Sequence, residues 1–483
     1  MSTATAKKDL SYWLHSIIGV ALVFIISNIP PMGPVTEYGM QIGGIFVGLI
    51  YLWTFVGVFW PCLFGIVMLG MCDEITMNGM FAAFSAYIPL LVMFCLILCG
   101  AISDSGLTVY IGRWFLTRKI VNGNPTAFNF LNMLVQYIVA GIIDPIASLF
   151  VLWPAMYGTL KDVGYTSKDK YPRVLTICSF VAMCLGQSLV PFWGGQLVII
   201  GSVESSTGLK VNYTMYMLFN IVLSLIIIAL MSFAIKYVFR CDMKLMESIT
   251  VEQINKDKLP PMTIQHKLYI VAGLGFFVFG LGPTLLPQDW AITIFMNKIN
   301  LVGYTMAIIA FLVFFKINGK PVMDAEKIPK EYFSWDMYLM VVVTVFLSNN
   351  LLADETGLKE LLINLLMPVL GSTGALIFVV LVVIIGILLT NYATNMIVGV
   401  VLVQIVSAIA PEIGLNAMAV SMVVTQAVFV ALLSPAASPY APALHTSTEW
   451  TSQGEIMKYG LILIALSAAI FLVIGYPLAN LML

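Results

Sequence analysis

The chain has 483 residues, of which 60% are hydrophobic and only 10% charged, with a mean hydropathy of +0.99. A soluble protein of this size carries about a quarter of its residues as charges. The 23 Lys and Arg and 24 Asp and Glu found here cannot clothe a globule of 53.0 kDa. Composition therefore excludes a soluble enzyme, a disordered chain and a nucleic-acid binder, and leaves a polytopic protein whose solvent is the lipid bilayer.

A helix crossing the hydrocarbon needs about 20 apolar residues. A short polar segment precedes the first such run, at 12–30, with no small-residue cleavage site after it, so the run reads as a retained first helix rather than a signal peptide. Further runs lie near 42–70, 82–103, 127–157, 174–200, 213–238, 268–286, 300–315, 334–352, 373–410, 417–433 and 456–480. Those at 42–70 and 373–410 are long enough for two passes, or for one pass and a hairpin. The expectation is an all-α membrane protein of about 11 transmembrane helices, with re-entrant hairpins and broken helices.

Basic residues gather at Lys7 and Lys8, at Arg113, Arg118 and Lys119, at 161–173, at 236–267 and at 316–330. The connection 30–41 carries Glu37 and no Lys or Arg, and nothing basic follows the last run. The positive-inside rule puts the N-terminus and the 240–267 connection in the cytoplasm and the C-terminus outside the cell membrane. The seven cysteines form no CxxC pair and lie mostly in apolar runs, as buried free thiols do, and three scattered histidines suggest no zinc site.

The segment Ala101-Ile-Ser-Asp-Ser-Gly-Leu107 recurs as Leu352-Ala-Asp-Glu-Thr-Gly-Leu358, and each copy follows an apolar span. After each come a short stretch, a span interrupted by polar residues, a connection, and an apolar segment rich in Gly, Ser, Pro and Gln. An odd number of spans between the copies would turn them upside down, the plan of many secondary transporters. The division is then 1–41 as first helix and connection, 42–240 as first inverted repeat, 241–333 as cytoplasmic connection and linking helices, and 334–483 as second inverted repeat. Asp104, Asp354 and Glu355 stand where helix N-caps are expected, and Arg113, Arg118 and Lys119 where water or headgroups are.

The residues that spoil the apolar runs are the informative ones. In the first copy they are Asp144-Pro145, with Gly186-Gln187-Ser188 to Gly194-Gly195-Gln196 as partner segment. In the second they are Thr390-Asn391-Tyr392-Ala393-Thr394-Asn395, with Ser434 to Pro442. Pro435, Pro439 and Pro442 cannot share a continuous helix. Non-helical backbone at membrane depth survives only inside protein or along a wet cavity. There, freed carbonyls and Asn or Ser oxygens can replace a cation's water shell, while half-helix N-termini suit an anion. Each break also has a plainer reading. Pro154 or Pro191 taken singly reads equally as a kink, Asn391 and Asn395 as an interhelical i, i+4 pair, 434–442 as an outside loop, and His445 as an interfacial histidine. Asp144 stands in an apolar run far from any Lys or Arg, as a cation ligand, a protonatable group or an acid at the interface.

At these residues the sequence resembles the divalent anion:sodium symporter family. The likeness rests on Asp104-Ser-Gly-Leu107, Glu355-Thr-Gly-Leu358, Ser334-Trp335 and Pro435-Ala-Ala-Ser-Pro439, and runs roughly over 42–240 and 334–480. It implies a Ser-Asn-Thr signature at each hairpin tip. Thr390-Asn391-Tyr392 keeps the Asn of that signature, whereas Asp144-Pro145-Ile146 departs from it. The resemblance implies a homodimer whose transport part slides against a fixed scaffold. It also implies a small organic anion, such as a di- or tricarboxylate, held by Thr390, Asn391, Thr394, Ser438, Pro439, Gln187 and Ser188. Sodium, or a proton in its place, would meet Asp144, Gly194, Asn391, Asn395 and Ala436. The rivals are a cation/proton antiporter using Asp144, a channel, and an intramembrane enzyme pairing Ser434 or Ser438 with His445.

Overall fold

The computed structural model describes residues 10–191, 194–249, 261–361, 363–364, 374–392, 394–435, 437–447 and 449–483. Among them β structure is confined to the pairing of Lys316–Ile317 with Lys320–Pro321, and the rest of the regular structure is helical. The chain opens with α1 (Leu10–Ser27), α2 (Glu37–Phe55), α3 (Phe59–Leu69) and α4 (Met77–Ala82). The run expected at 42–70 is thus two helices, parted at Gly57, whose φ of 143° only glycine adopts readily. Helices α5 (Tyr87–Asp104) and α6 (Leu107–Leu116) follow. Then come the arms α7 (Pro125–Ile142) and α8 (Pro145–Val163), and α9 (Lys170–Gly186), α10 (Gly194–Thr207) and α11 (Tyr213–Tyr237).

Both arms of the 125–163 hairpin begin on the same start signal, an Asx N-cap followed by Pro at the first helical position: Asn124-Pro125 and Asp144-Pro145. That second signal, inside an apolar stretch, is what breaks the run expected at 127–157. Pro154, by contrast, sits inside α8 without ending it.

Helices α12 (Ile264–Leu285), α13 (Ala291–Phe314) and α14 (Lys327–Tyr332) lead into α15 (Trp335–Leu351). The run expected at 300–315 is only the later part of α13, which bends at Asn300 (φ 54°). The chain ends with α16 (Ala375–Leu389), α17 (Asn395–Ile409), α18 (Ala417–Phe429), α19 (Ala441–Thr446), α20 (Gln453–Ile470) and α21 (Tyr476–Met482). Eight described helices are long and apolar enough to cross a membrane, and five apolar ones are shorter. The arms α16 and α17 have 15 residues each, so they reach about 22 Å, short of a hydrocarbon core of about 30 Å. Such pieces are why whole passes counted from hydropathy do not map one to one onto helices.

Among the described residues, two apolar cores organise the molecule. The smaller joins Ile42, Leu49 and Leu52 of α2 and Cys62 and Leu69 of α3 to Tyr338, Val342 and Leu347 of α15. The larger takes in α5 and α7–α11 together with α16–α20. All seven cysteines are free, and all but Cys99 are buried.

The sequence repeat is also a repeat of geometry. Gly106 and Gly357 both take left-handed backbone, at φ 77° and 66°. Just before each, a hydroxyl turns back on its own chain: Ser105 Oγ donates to Ile102 O at 2.6 Å and Thr356 Oγ1 to Ala353 O at 2.7 Å. Each also accepts the amide two residues on, Leu107 N at 3.3 Å and Leu358 N at 3.2 Å. The acids expected as caps do something else. Asp104 ends α5 and pairs with Lys327 at 2.6 Å, and α6 is capped by Gly106. Asp354 and Glu355 form a single 3-10 turn after Ala353. The left-handed glycine lies two residues beyond Asp104 and Glu355, so the hydroxyl between them, not the carboxylate, meets the first amide after the turn. Arg118 lies over the exposed Trp114 ring at 3.5 Å, while Arg113 is half-buried rather than at the surface.

Candidate functional site

The first tip is a two-residue turn, Ile143-Asp144, between the antiparallel arms α7 and α8. Asp144 is extended (φ −170°, ψ 134°), and its Oδ1 accepts the Ala147 amide at 2.7 Å. A half-helix N-terminus carries a partial positive charge, and here the chain's own carboxylate sits on it.

The first break follows α9. Gln187 caps that helix and sends its Nε2 back to Met183 Sδ at 3.4 Å. Ser188 is fully buried, its Oγ has no partner among the described residues, and its carbonyl accepts the Tyr216 hydroxyl at 2.9 Å. Gly194 then opens α10. Tip and break are pressed together through glycine: a Cβ on Gly141 would stand 2.7 Å from Gly186 O, and one on Gly186 would stand 2.4 Å from Tyr137 O.

The second tip lies between α16 and α17. Asn391 and Asn395 belong to different segments here, so the i, i+4 helix-pair reading does not apply. Thr390 Oγ1 donates to Val428 O at 2.6 Å, and Asn391 Nδ2 donates to Val430 O at 3.1 Å, satisfying carbonyls freed where α18 ends. Asn391 Oδ1 accepts Leu432 N at 2.8 Å and Leu433 N at 2.9 Å, and Ser434 Oγ donates to Asn391 O at 2.6 Å. Asn391 is therefore fully committed to clamping the tip on the broken segment. Any ligand there meets backbone that Asn391 has shaped, not its amide. Asn395 begins α17, bonds Met396 N through Oδ1 at 2.9 Å, and keeps a buried Nδ2 without a partner among the described residues. Thr394 precedes it as N-cap and makes no side-chain cap bond among the described residues.

The second break leaves helix after Phe429 and resumes it at Ala441, as its three prolines require. Ser438 Oγ accepts Ala441 N at 3.1 Å, Pro439 is exposed, and Ala436 lies outside the described residues. His445 is no surface histidine: its Nε2 is 3.0 Å from Leu432 O, inside the same segment. Ser434, Ser438 and His445 thus each engage a different backbone group.

These pieces converge. Cys184 Sγ, near the end of α9, is 3.9 Å from Ala431 O of the second break. A Cβ on Gly195 would come within 2.8 Å of Met396 Cγ at the second tip. Sequence reasoning missed three polar links, two of them buried. Tyr216 Oη receives Gln426 Nε2 at 3.2 Å and Gln196 Nε2. Gln404 Nε2 bonds both Ser202 Oγ (2.8 Å) and Ser348 Oγ (3.0 Å), joining α17, α10 and α15. Ser206 and Ser407 meet at 2.8 Å. Single polar residues spaced along apolar helices were their one visible signal.

The model of the sodium:sulfate symporter transmembrane region matches residues 11–482. The chain belongs to that family. The resemblance read from Asp104–Leu107 and its copy is therefore established, and with it a multi-pass membrane transporter rather than an enzyme. No curated protein matches the sequence. Among solved structures, the Alcanivorax borkumensis YdaH transporter is similar, with a TM-score of 0.59 and 14% identity over 92% of this chain and 99% of that one. At that identity what the two share is the fold.

Proposed function

We propose that this transporter carries a small organic anion, a di- or tricarboxylate, coupled to sodium. The observation that carries the reading is an electrostatic asymmetry between the tips. At the first, the N-terminus of α8 is already occupied by Asp144, which disfavours an anion and favours a cation. At the second, the N-terminus of α17 has no acid on it, and Thr394 and Asn395 stand at its head. No Lys or Arg lies in 136–157, 178–201, 386–405 or 425–447, so the anion's counter-charge has to come from helix ends and a co-bound cation. A cation 4 Å from a carboxylate contributes about 4 kcal/mol at an effective dielectric of 20, enough to make anion binding strongly cation-dependent.

In this reading Thr394, Ser438, Gln187 and Ser188 border the anion, while Thr390 and Asn391 shape its backbone cradle. Asp144 and Gly194 lie on the cation side. The repeats 42–240 and 334–483 are inverted, the N-terminus is cytoplasmic, and a homodimer presents a transport part that slides as an elevator. The test is uptake of labelled succinate, citrate and sulfate into proteoliposomes under an inward sodium gradient, against potassium and against an inward proton gradient. Sodium-driven succinate or citrate uptake is expected. Uptake of sulfate alone would overturn the organic substrate, and proton-driven sodium movement with no anion present would favour the antiporter reading that Asp144 also permits.

A further inference from the structure

Tyr216, on α11, belongs to neither tip and neither break, yet one hydroxyl there joins both repeats. It is wholly buried, as are Ser188 and Gln196, and Gln426 is 1% exposed. A phenol has one proton to give and two lone pairs. The Ser188 carbonyl can only accept, so the proton is committed to it at 2.9 Å. Both lone pairs must then be met by N–H groups, which fixes the two glutamine amides: Gln426 Nε2, from α18 just before the second break, and Gln196 Nε2, from the head of α10 just after the first. Asn220 Nδ2, one turn on, donates to the Tyr216 carbonyl at 3.0 Å.

The consequence lies in what each partner has left over. With its nitrogen held, Gln196 keeps Oε1 buried and without a partner among the described residues. Ser188, held by its carbonyl, keeps Oγ in the same condition. Buried polar atoms without partners are rare in a native interior, and neutral oxygens of this kind are what a hard monovalent cation takes in place of water. We infer that Tyr216 is a positioning residue for cation coupling: its hydroxyl orients the Gln196 oxygen toward cation service at the first break, holds the Ser188 backbone in place, and ties that break to the second through Gln426. The inference rests on the cation-coupled reading above.

The experiment compares wild type with Tyr216→Phe, which keeps the ring, and Gln196→Met, which keeps the volume and removes the oxygen. The readouts are the sodium concentration giving half-maximal uptake, the anion KM at saturating sodium, and the sodium-induced rise in melting temperature of the purified protein. Both variants are expected to need at least tenfold more sodium, with the anion KM within twofold of wild type and the sodium-induced melting shift reduced in parallel. Should Tyr216→Phe fail to insert, Gln196→Met carries the same expectation. Wild-type sodium dependence in Gln196→Met, or an equal loss of anion and sodium affinity in Tyr216→Phe, overturns the positioning role while leaving the proposed function standing. A wild-type protein that neither melts higher in sodium nor needs it for uptake overturns both.

Discussion

At the scale of single residues, Asp144 and Asn391 separate charge from shape. Asn and Asp cap helices about equally well, so Asp144→Asn keeps the bond to Ala147 and the fold while deleting the charge. Uptake assays are expected to show a changed ion requirement with little change in anion preference; unchanged sodium dependence would reduce Asp144 to a helix cap. Asn391→Ala does the opposite. It orphans Leu432 N, Leu433 N and Val430 O in a buried place, at about 1–3 kcal/mol for each group left unsatisfied. Lost uptake together with a lowered melting temperature is expected, and an Asn391→Ala protein that transports normally would remove the second tip from the site. The identity of these two residues was legible in the sequence, because an unpaired acid and an Asn inside apolar runs are conspicuous. Their roles were not, because a cap or a clamp depends on which backbone groups folding leaves unpaired.

Among elements, the repeated Ser/Thr-Gly-Leu turn gives the sharpest contrast. Gly106 and Gly357 share a left-handed backbone but not their surroundings. A Cβ on Gly106 meets open space, whereas one on Gly357 would lie 1.8 Å from Pro34 O. The backbone there cannot yield, since Thr36 N bonds Thr356 O at 3.1 Å and Thr36 Oγ1 bonds Glu355 O at 2.6 Å. Gly106→Ala is expected to cost only the conformational strain, about 1–2 kcal/mol, while Gly357→Ala costs visibly more and lowers the yield of folded protein; equal melting temperatures would refute the contrast. The repeat itself was legible, as were the broken spans, because prolines and Asx-Pro pairs act locally. The position of the break at Gly57 was hidden, since a lone glycine does not interrupt hydropathy, whereas the bend at Asn300 falls where the run expected at 300–315 begins. The expected acidic caps failed for a related reason: hydroxyl and carboxylate compete for the same amides, and the glycine turn decides between them.

Over the whole molecule, the Ser202–Gln404–Ser348 network is where α15, which shares the smaller core with α2 and α3, touches α10 and α17 around the tips. If the tip-bearing part slides against the rest, this contact has to break in each cycle. Ser202 Oγ and Ser348 Oγ are 2.9 Å apart, so a Ser202→Cys/Ser348→Cys pair, in a background lacking the seven native thiols, is expected to cross-link on oxidation. Oxidation should arrest uptake and reduction restore it; full uptake in the cross-linked protein would rule out sliding at this contact. None of this was readable from the chain, where two serines and a glutamine lie 146 and 56 positions apart and fall within ordinary apolar helices.

The clamp at the second tip also bears on leakage. Five hydrogen bonds tie Thr390 and Asn391 to the segment 428–434. A tip that lifted alone, as a lid, would forfeit them all, about 3–7 kcal/mol at typical net values. Such an opening would be populated less than about once in a hundred, so an ion seldom slips through without its cargo. Fidelity of stoichiometry in this transporter would then be set by a handful of buried amides rather than by any gate.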